Sequence, residues 1–192
     1  ARILKQLLEE ILPTGEKVII WAVFRDNYNS IKRVLEELAV DYVEVHGEIS
    51  DVKKTKAIDL FQCRVKGTPQ VLLGHPGSAG IGINMTASCY SIYYSRPASL
   101  EHDLQSEARN HRGGSEIHER VTRIDLVAPG TIDELVFERL KEKVAMSEAI
   151  LKELGRQLHE EKKLEPYALC HHRDGARPAH GPAVGLARVR LA

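Results

Sequence analysis

The chain has 192 residues, and its 27 basic and 27 acidic side chains give a formal net charge of zero at pH 7. A chain of this length has room for one ordinary domain with appendages. Because its net charge is zero, it has no overall electrostatic field that would draw it to nucleic acid or to an anionic membrane. Any contact with nucleic acid must therefore come from a local patch. Its three cysteines form no disulfide framework and no apolar run approaches membrane-spanning length, so we expect a cytoplasmic protein with no membrane partner.

In chain order, apolar stretches alternate with amphipathic ones. Apolar or alternating runs predict five strands, at 17–24, 42–45, 71–73, 89–94 and 120–127. Amphipathic spacing predicts helices at 3–12, from a cap at Asn27 or Asn29 to 38, from a cap at Ser50 to 61, from 99 onward, and from a cap at Thr131 to about 164. Because the connections are short, this alternation favours an α/β fold of right-handed βαβ units, in which a parallel sheet carries helices on both faces.

Composition divides the chain into four parts. We expect a lead-in helix at 1–16, the sheet-bearing domain at 17–146, a helical extension at 147–165 and a tail at 166–192. The tail is rich in Ala, Arg, Gly, His and Pro without periodicity, which is typical of a disordered or non-native segment. Its Cys170, His171 and His172 are adjacent and cannot close a metal site alone, so we expect no metal site.

A polar stripe is the most informative segment of the chain. Gln105, Arg109 and Arg112 stand at i, i+4 and i+7, which places an amide and two guanidiniums on one helical face. Two glycines, Gly113 and Gly114, then end the helix. Two arginines on a rigid face suit a phosphate group, because each guanidinium offers a planar fork of donors and stays charged. The alternative is an ordinary solvated helix face.

A glycine-rich segment, 74–86, directly follows the third predicted strand. Loops at the carboxyl ends of parallel strands are where ligands bind, and Gly77, Gly80 and Gly82 would let the backbone approach a phosphate; the alternative is a tight turn. Parallel topology would bring this segment to the same edge of the sheet as the arginine helix. The sequence contains no Gly-x-x-x-x-Gly-Lys-Ser/Thr loop and no acidic pair placed to hold magnesium. We therefore predict half of a nucleotide site, completed by another domain.

Five segments between Lys17 and Lys143 match the motifs of one family in order. They are 18–24; 46–61, which begins His-Gly-Glu-Ile-Ser; 78–86, Ser-Ala-Gly-Ile-Gly-Ile-Asn-Met-Thr; 105–114, Gln-Ser-Glu-Ala-Arg-Asn-His-Arg-Gly-Gly; and 130–134, Gly-Thr-Ile-Asp-Glu. This order resembles the second, C-terminal RecA-like domain of superfamily 2 helicases, most closely the Swi/Snf-type DNA translocases. The chain departs from the family pattern at Lys54, Ala79, 95–97 and Ser115, which favours a divergent bacterial or phage-like branch.

The resemblance implies a three-layer RecA-like fold followed by a long C-terminal helix. It also implies that ATP and Mg²⁺ are held only together with an N-terminal RecA-like domain of the same protein, which supplies the phosphate loop and the magnesium ligand. Arg112 is then the candidate arginine finger, with Arg109 and Gln105 beside it. Gly80 and Gly82 are expected near ATP.

The same resemblance implies contact with DNA, expected to be double-stranded and bound without regard to sequence. Ser78, Asn84 and Thr86 are expected to link the nucleotide site to the DNA backbone. Arg25 and Asn27, at the carboxyl end of the first strand, are further candidates. His46 is another, although a turn histidine without a DNA contact is the alternative.

The sequence thus predicts the C-terminal motor domain of an ATP-dependent DNA helicase or translocase, without ATPase activity on its own. Two alternatives stay open. One is a non-catalytic RecA-like scaffold or interaction module. The other is a nucleotide-binding α/β enzyme such as a small-molecule transferase, which would bind nucleotide tightly by itself.

Overall fold

The computed structural model describes residues 1–78, 85–110, 117–118 and 120–164, without the side chains of 110 and 157–164. These ranges contain five helices and five strands, which alternate except that β4 follows β3 directly. The helices are α1 (Arg2–Ile11), α2 (Arg25–Glu37), α3 (Asp51–Gln62), α4 (Leu100–Asn110) and α5 (Ile132–Leu164), and a short 3-10 turn, Leu12–Thr14, follows α1. The strands are β1 (Lys17–Trp21), β2 (Tyr42–Val45), β3 (Val71–Gly74), β4 (Ser88–Tyr93) and β5 (Thr122–Asp125).

All five strands are parallel and lie in the order β2-β3-β1-β4-β5. The central strand β1 is buried throughout, as its unbroken apolar run predicts. It pairs with β3 on one side, Ile19 opposite Leu72, and with β4 on the other, Ile19 opposite Ser91. The predicted α/β fold with a parallel sheet is confirmed.

Alternate residues of β1 belong to two apolar clusters, one on each face of the sheet. Val18 and Ile20 of β1 pack in a cluster with buried residues of α1 and α2. Ile19 and Trp21 point the opposite way, into a cluster with Phe61 of α3. Because successive side chains of a strand point to opposite faces, β1 packs against a helical layer on each side of the sheet. The three-layer arrangement is therefore confirmed.

Several predicted boundaries shift. The strand predicted at 17–24 ends at Trp21, because α2 begins at Arg25 with Phe24 as its N-cap residue. The predicted caps Asn27 and Asn29 are wrong, since both lie inside α2. Ser50 is the N-cap residue of α3, but its side chain makes no capping bond. Thr131 does cap α5, where its Oγ1 accepts a hydrogen bond from the N–H of Asp133 at 3.2 Å.

Trp21 and Gly74 show how tightly the centre of the sheet is packed. The Trp21 side chain is fully buried, and its indole N–H donates to Ser91 Oγ at 2.9 Å. Gly74, opposite Trp21 in β3, lies so close that an added Cβ would be 2.9 Å from the indole ring. In the described part of the chain, no helix is both long and apolar enough to cross a lipid bilayer.

Candidate functional site

Helix α4, which carries Gln105 and Arg109, is held against the sheet by a buried ion network. We use this name for Arg96, Asp103, Glu107, Arg123 and Asp125. Arg123 of β5 donates to Asp103 Oδ1 at 2.8 Å and to Glu107 Oε2 at 2.5 Å. Arg96, just after β4, bridges Asp103 at 3.3 Å and Asp125 at 3.2 Å. Two arginines thereby bind α4 to the carboxyl-terminal halves of β4 and β5.

Aromatic rings complete the packing under α4. The guanidinium of Arg123 lies 4.0 Å from the ring centroid of Tyr93, and that of Arg96 lies 4.9 Å from Phe137 of α5. The Tyr93 hydroxyl pairs with Ser106 Oγ of α4 at 2.8 Å. Guanidiniums stack well on aromatic faces because they are planar and weakly hydrated. The underside of α4 is therefore polar yet closed to water.

The pKa values of the two arginines in this network are shifted in opposite directions. Burial lowers the pKa of Arg96 below its ordinary value. Burial also acts to lower the pKa of Arg123, but Tyr93, Asp125 and Asp103 outweigh it and raise that pKa above its ordinary value. Both guanidiniums stay charged and face two buried carboxylates. Buried ions are tolerated when they are paired in this way, and removing one partner is strongly destabilising.

The predicted polar stripe is divided by burial. Arg109 is only 4% exposed, so its side chain does not belong to a solvated helix face. Gln105 is half-buried, and its Nε2 donates to Glu101 Oε1 one turn earlier at 2.9 Å. The alternative of an ordinary solvated face therefore does not describe this part of the stripe.

The described ends of the glycine-rich segment contact α4 at two places. A Cβ added to Gly77 would lie 3.1 Å from the His102 ring in the first turn of α4. At the other end, the Met85 N–H donates to the Arg109 carbonyl oxygen at 3.1 Å. The expected proximity of the glycine-rich segment and the arginine helix is thus confirmed for these residues.

Four of the DNA-binding candidates lie at the carboxyl-terminal edge of the sheet. Arg25 and Asn27 start α2 after β1, while His46 follows β2 and Ser78 follows β3. The turns after β2 and β3 touch, since a Cβ on Gly47 would lie 3.7 Å from Ser78 Oγ. The topology therefore brings residues from three strand ends to one edge.

Two of these candidates already have acidic partners. The exposed guanidinium of Arg25 forms an ion pair with Glu48. His46 Nε2 lies 2.9 Å from Glu44 Oε2, and its ring packs edge-on against Tyr28. The pairing of His46 agrees with the alternative of a turn histidine.

Thr86 lies away from the other candidates. It stands just before β4, and its carbonyl oxygen is 2.9 Å from His118 Nε2 at the amino-terminal edge of the sheet. The structure does not bring Thr86 together with Ser78. Gly80, Gly82, Asn84, Arg112 and the tail 166–192 lie outside the described residues.

Sequence reasoning missed the residues that hold α4 in place. Asp103, Arg123 and Asp125 received no role, although each is a charged residue within an otherwise apolar or amphipathic pattern. A charged residue in the middle of a short buried strand, such as Arg123 in β5, signals a buried partner. The sequence pattern therefore predicts that such an arginine has an acidic partner, but it does not show which acid that is.

Two clefts open at opposite edges of the sheet. One of about 420 Å³ is lined by Phe24, Asn27 and Leu126 at the carboxyl-terminal edge. The other, about 980 Å³, is lined by Pro13, Lys17 and Arg64 at the amino-terminal edge. Gln105 and Arg109 line neither cleft.

Comparison with known families identifies this arrangement. Residues 2–114 match the model of the helicase conserved C-terminal domain. The chain belongs to this family. The helicase C-terminal domain seen here therefore has the α/β RecA-like fold of superfamily 2 helicases, as its five motifs predict.

The relatives are Swi/Snf-type proteins. The chain is 30% identical over 145 residues to the ATP-dependent helicase fft2 of Schizosaccharomyces pombe, covering 76% of the chain and 11% of that protein. It is 26% identical over 155 residues to chromodomain-helicase-DNA-binding protein 6 of Rattus norvegicus, covering 81% of the chain and 6% of that protein. This helicase C-terminal domain thus spans about a tenth or less of these curated relatives.

A solved structure has the same fold. The crystal structure of the C-terminal part of the Fun30 ATPase domain superposes with a TM-score of 0.65 at 23% identity, covering 72% of this chain and 44% of that one. The two curated relatives named above are from a fission yeast and a rat. The bacterial or phage-like branch expected for this helicase C-terminal domain stays a prediction.

Proposed function

We propose that this domain is the C-terminal half of an ATP-driven DNA motor. It supplies arginines to an ATP site that an N-terminal RecA-like domain of the same protein completes, together with part of a sequence-independent surface for double-stranded DNA. The observation that carries the proposal is the position of α4. The buried ion network anchors this helix, which carries Arg109, and both described ends of the glycine-rich segment contact it.

The residues of the chain suit a phosphate group better than a magnesium ion. By sequence, Arg112 offers charged planar donors of the kind that bind phosphate oxygens, while Arg109, on the same face of the stripe, is buried. Asp103 and Asp125, the buried acids nearest to α4, are both bonded to Arg96 and Arg123. Because these carboxylates are already paired, we place the magnesium ligands on the N-terminal domain.

In this proposal the arginines stabilise negative charge. ATP supplies the γ-phosphoryl group that is hydrolysed. Arg112 donates to the oxygens on which charge spreads, while the largely buried Arg109 holds the end of α4 in position. Gln105 orients these guanidiniums or meets the nucleotide, and Gly80 and Gly82 give the backbone close approach. An arginine finger is worth on the order of 10³–10⁵ in rate.

The carboxyl-terminal edge is our proposed contribution to DNA binding. Arg25, Asn27, His46 and Ser78 lie there, and Asn84 would extend the contact through the glycine-rich segment, whereas Thr86 lies at the opposite edge and is left out of this surface. Contacts of this kind hold the DNA backbone without reading its sequence. Since Glu48 and Glu44 already pair with Arg25 and His46, we expect the isolated domain to bind DNA weakly.

The decisive experiment measures DNA-stimulated ATPase activity of the parent polypeptide with and without Arg112→Ala. We expect turnover to fall by about 10³ or more while ATP binding is retained. Arg139→Ala is the matched control, because Arg139 is an exposed residue of α5 that forms an ion pair with Glu142, three residues later. This variant should retain full activity. An unchanged rate with Arg112→Ala would overturn the finger assignment. ATP turnover by the 192-residue chain alone would contradict the half-site.

A further inference from the structure

Three metal-binding side chains converge at the amino-terminal edge of the sheet, away from the proposed nucleotide and DNA surfaces. Glu16 precedes β1, Cys89 is the second residue of β4, and His118 lies between α4 and β5. Each offers one donor atom, and the three atoms lie within 4.8 Å of one another. Parallel strands start at the same edge, which explains why residues 73 apart in sequence, Glu16 and Cys89, are neighbours.

The separations of these atoms match a tetrahedral zinc site. Cys89 Sγ lies 3.1 Å from Glu16 Oε2, and His118 Nδ1 lies 3.9 Å from the same oxygen. With Zn–S of about 2.3 Å and Zn–N and Zn–O of about 2.0–2.2 Å, tetrahedral geometry requires donor separations of about 3.4–3.6 Å. These two separations are each about half an ångström from the required value, and the third, between Cys89 Sγ and the His118 nitrogen, is within 4.8 Å.

The other ring nitrogen of His118 has two polar neighbours, the Thr86 carbonyl oxygen and the Arg64 guanidinium. Nε2 lies 2.9 Å from the Thr86 carbonyl oxygen, to which it donates when it carries the proton. In that tautomer the lone pair is on Nδ1, on the side of Glu16, and the guanidinium of Arg64, which only donates and lies 2.9 Å from Nε2, would have to turn away when the metal binds. A backbone carbonyl is a usual outer partner of a metal-ligating histidine.

Burial and charge favour zinc over harder ions. The His118 side chain is 4% exposed and Cys89 is buried, so most water is excluded. Arg64 donates to the Ala87 carbonyl oxygen at 3.1 Å, and its positive charge beside His118 opposes any cation, so the metal has to offset this repulsion through its bonds to thiolate and imidazole. Thiolate and imidazole ligands bind zinc strongly, whereas magnesium and calcium prefer oxygen alone.

We propose that Glu16, Cys89 and His118 form a zinc-binding site with three protein ligands and water in the fourth position. Its bonds would tie the segment between α4 and β5 to the starts of β1 and β4. Zinc binding at this site would require the Cys89 thiol to lose its proton. The proposal is independent of the motor function.

The test titrates Zn²⁺ into metal-stripped 192-residue protein against a chromogenic chelator. Cys170, His171 and His172 are first replaced by Ala so that the tail cannot bind the metal. We expect one zinc per chain. Cys89→Ser and His118→Gln should each weaken binding about 100-fold or more, beyond the 10–100-fold typical of outer-shell partners. Cys63→Ser is the matched control, because Cys63 is exposed and outside the cluster.

Co²⁺ provides a second readout. A thiolate-to-cobalt charge-transfer band should appear in the parent and in Cys63→Ser, and disappear in Cys89→Ser. Substitutions of the buried Cys89 and His118 could prevent folding, so Glu16→Gln serves as a further test because Glu16 is partly exposed. This variant should also weaken zinc binding. Absence of stoichiometric zinc, or binding that survives Cys89→Ser, His118→Gln and Glu16→Gln, would overturn the proposal.

Discussion

The guanidinium of Arg123 lies 2.8 Å from Oδ1 of Asp103, joining the middle of β5 to the first half of α4. Both side chains are buried, and the contact spans 20 residues of sequence. The helix that bears Gln105 and Arg109 is therefore held by charge pairs. Charge pairs fix orientation more closely than apolar contacts, because each needs a particular donor and acceptor geometry.

Arg123→Met should lower the free energy of unfolding by about 3–5 kcal/mol, because Asp103 and Asp125 would remain buried with Arg96 as their only partner in the network. Urea denaturation of the 192-residue chain measures this loss. Arg139→Met removes an exposed ion pair and should change stability by less than about 1 kcal/mol. Equal losses in the two variants would show that the network does not anchor α4.

Arg109 and Gln105 share a helical face but should differ in their effect on stability. Arg109→Ala should destabilise the chain by more than about 1 kcal/mol, because Arg109 is buried. Gln105→Ala should stay within about 0.5 kcal/mol, since among the described residues its side chain bonds only to the exposed Glu101. Thermal unfolding of both variants distinguishes them. A neutral Arg109→Ala would mean that its burial contributes nothing to folding.

Gly74→Ala should be strongly destabilising despite its small size. The new Cβ would lie 2.9 Å from the ring of the fully buried Trp21, in a sheet that cannot easily yield. We expect a loss of about 1–3 kcal/mol by urea denaturation. Gly47→Ala is the control, because its Cβ would meet only Ser78 Oγ at 3.7 Å, an ordinary contact. Similar stability of the two variants would argue against tight packing at Gly74.

His75 should make stability depend on pH. Burial, with His102 and His46 nearby, lowers the pKa of His75 below its ordinary 6.5. Its Nδ1 also accepts a hydrogen bond from the Gly77 N–H at 3.0 Å, which requires that nitrogen to be unprotonated. The unfolded chain therefore binds the proton first as pH falls, so the stabilisation is present above 6.5 and declines below it.

The comparison variant is His75→Asn, whose side-chain oxygen accepts a similar bond but does not titrate. Urea denaturation between about pH 7 and about pH 5 should show a steeper loss for the parent than for the variant. Other titrating groups are common to both proteins and cancel in the difference. Parallel curves would show that His75 does not contribute.

Much of the fold was predictable because its signals are local. The buried run of β1, the Thr131 cap and the apolar faces of the helices all depend on residues a few positions apart, and the structure confirms them. The caps at Asn27 and Asn29 failed for a local reason too. Cap-forming residues are also tolerated within helices, and here α2 begins earlier, at Arg25.

The candidate site was predictable only in part. The spacing of Gln105 and Arg109 indicates one helical face, but burial of Arg109 depends on which elements pack beneath α4. Thr86 is close in sequence to Ser78, yet it lies at the opposite edge, because the chain passes from the carboxyl end of β3 to the amino end of β4 between them.

The fold class and the family can be inferred from the residues alone, since strand and helix periods and five ordered motifs are properties of short segments. The strand order, the partners of Arg123 and the meeting of Glu16, Cys89 and His118 depend on how the whole domain packs. These contacts join residues far apart in the chain. They form because the sheet aligns all strand starts at one edge and all strand ends at the other, and which strands become neighbours depends on packing of the whole domain.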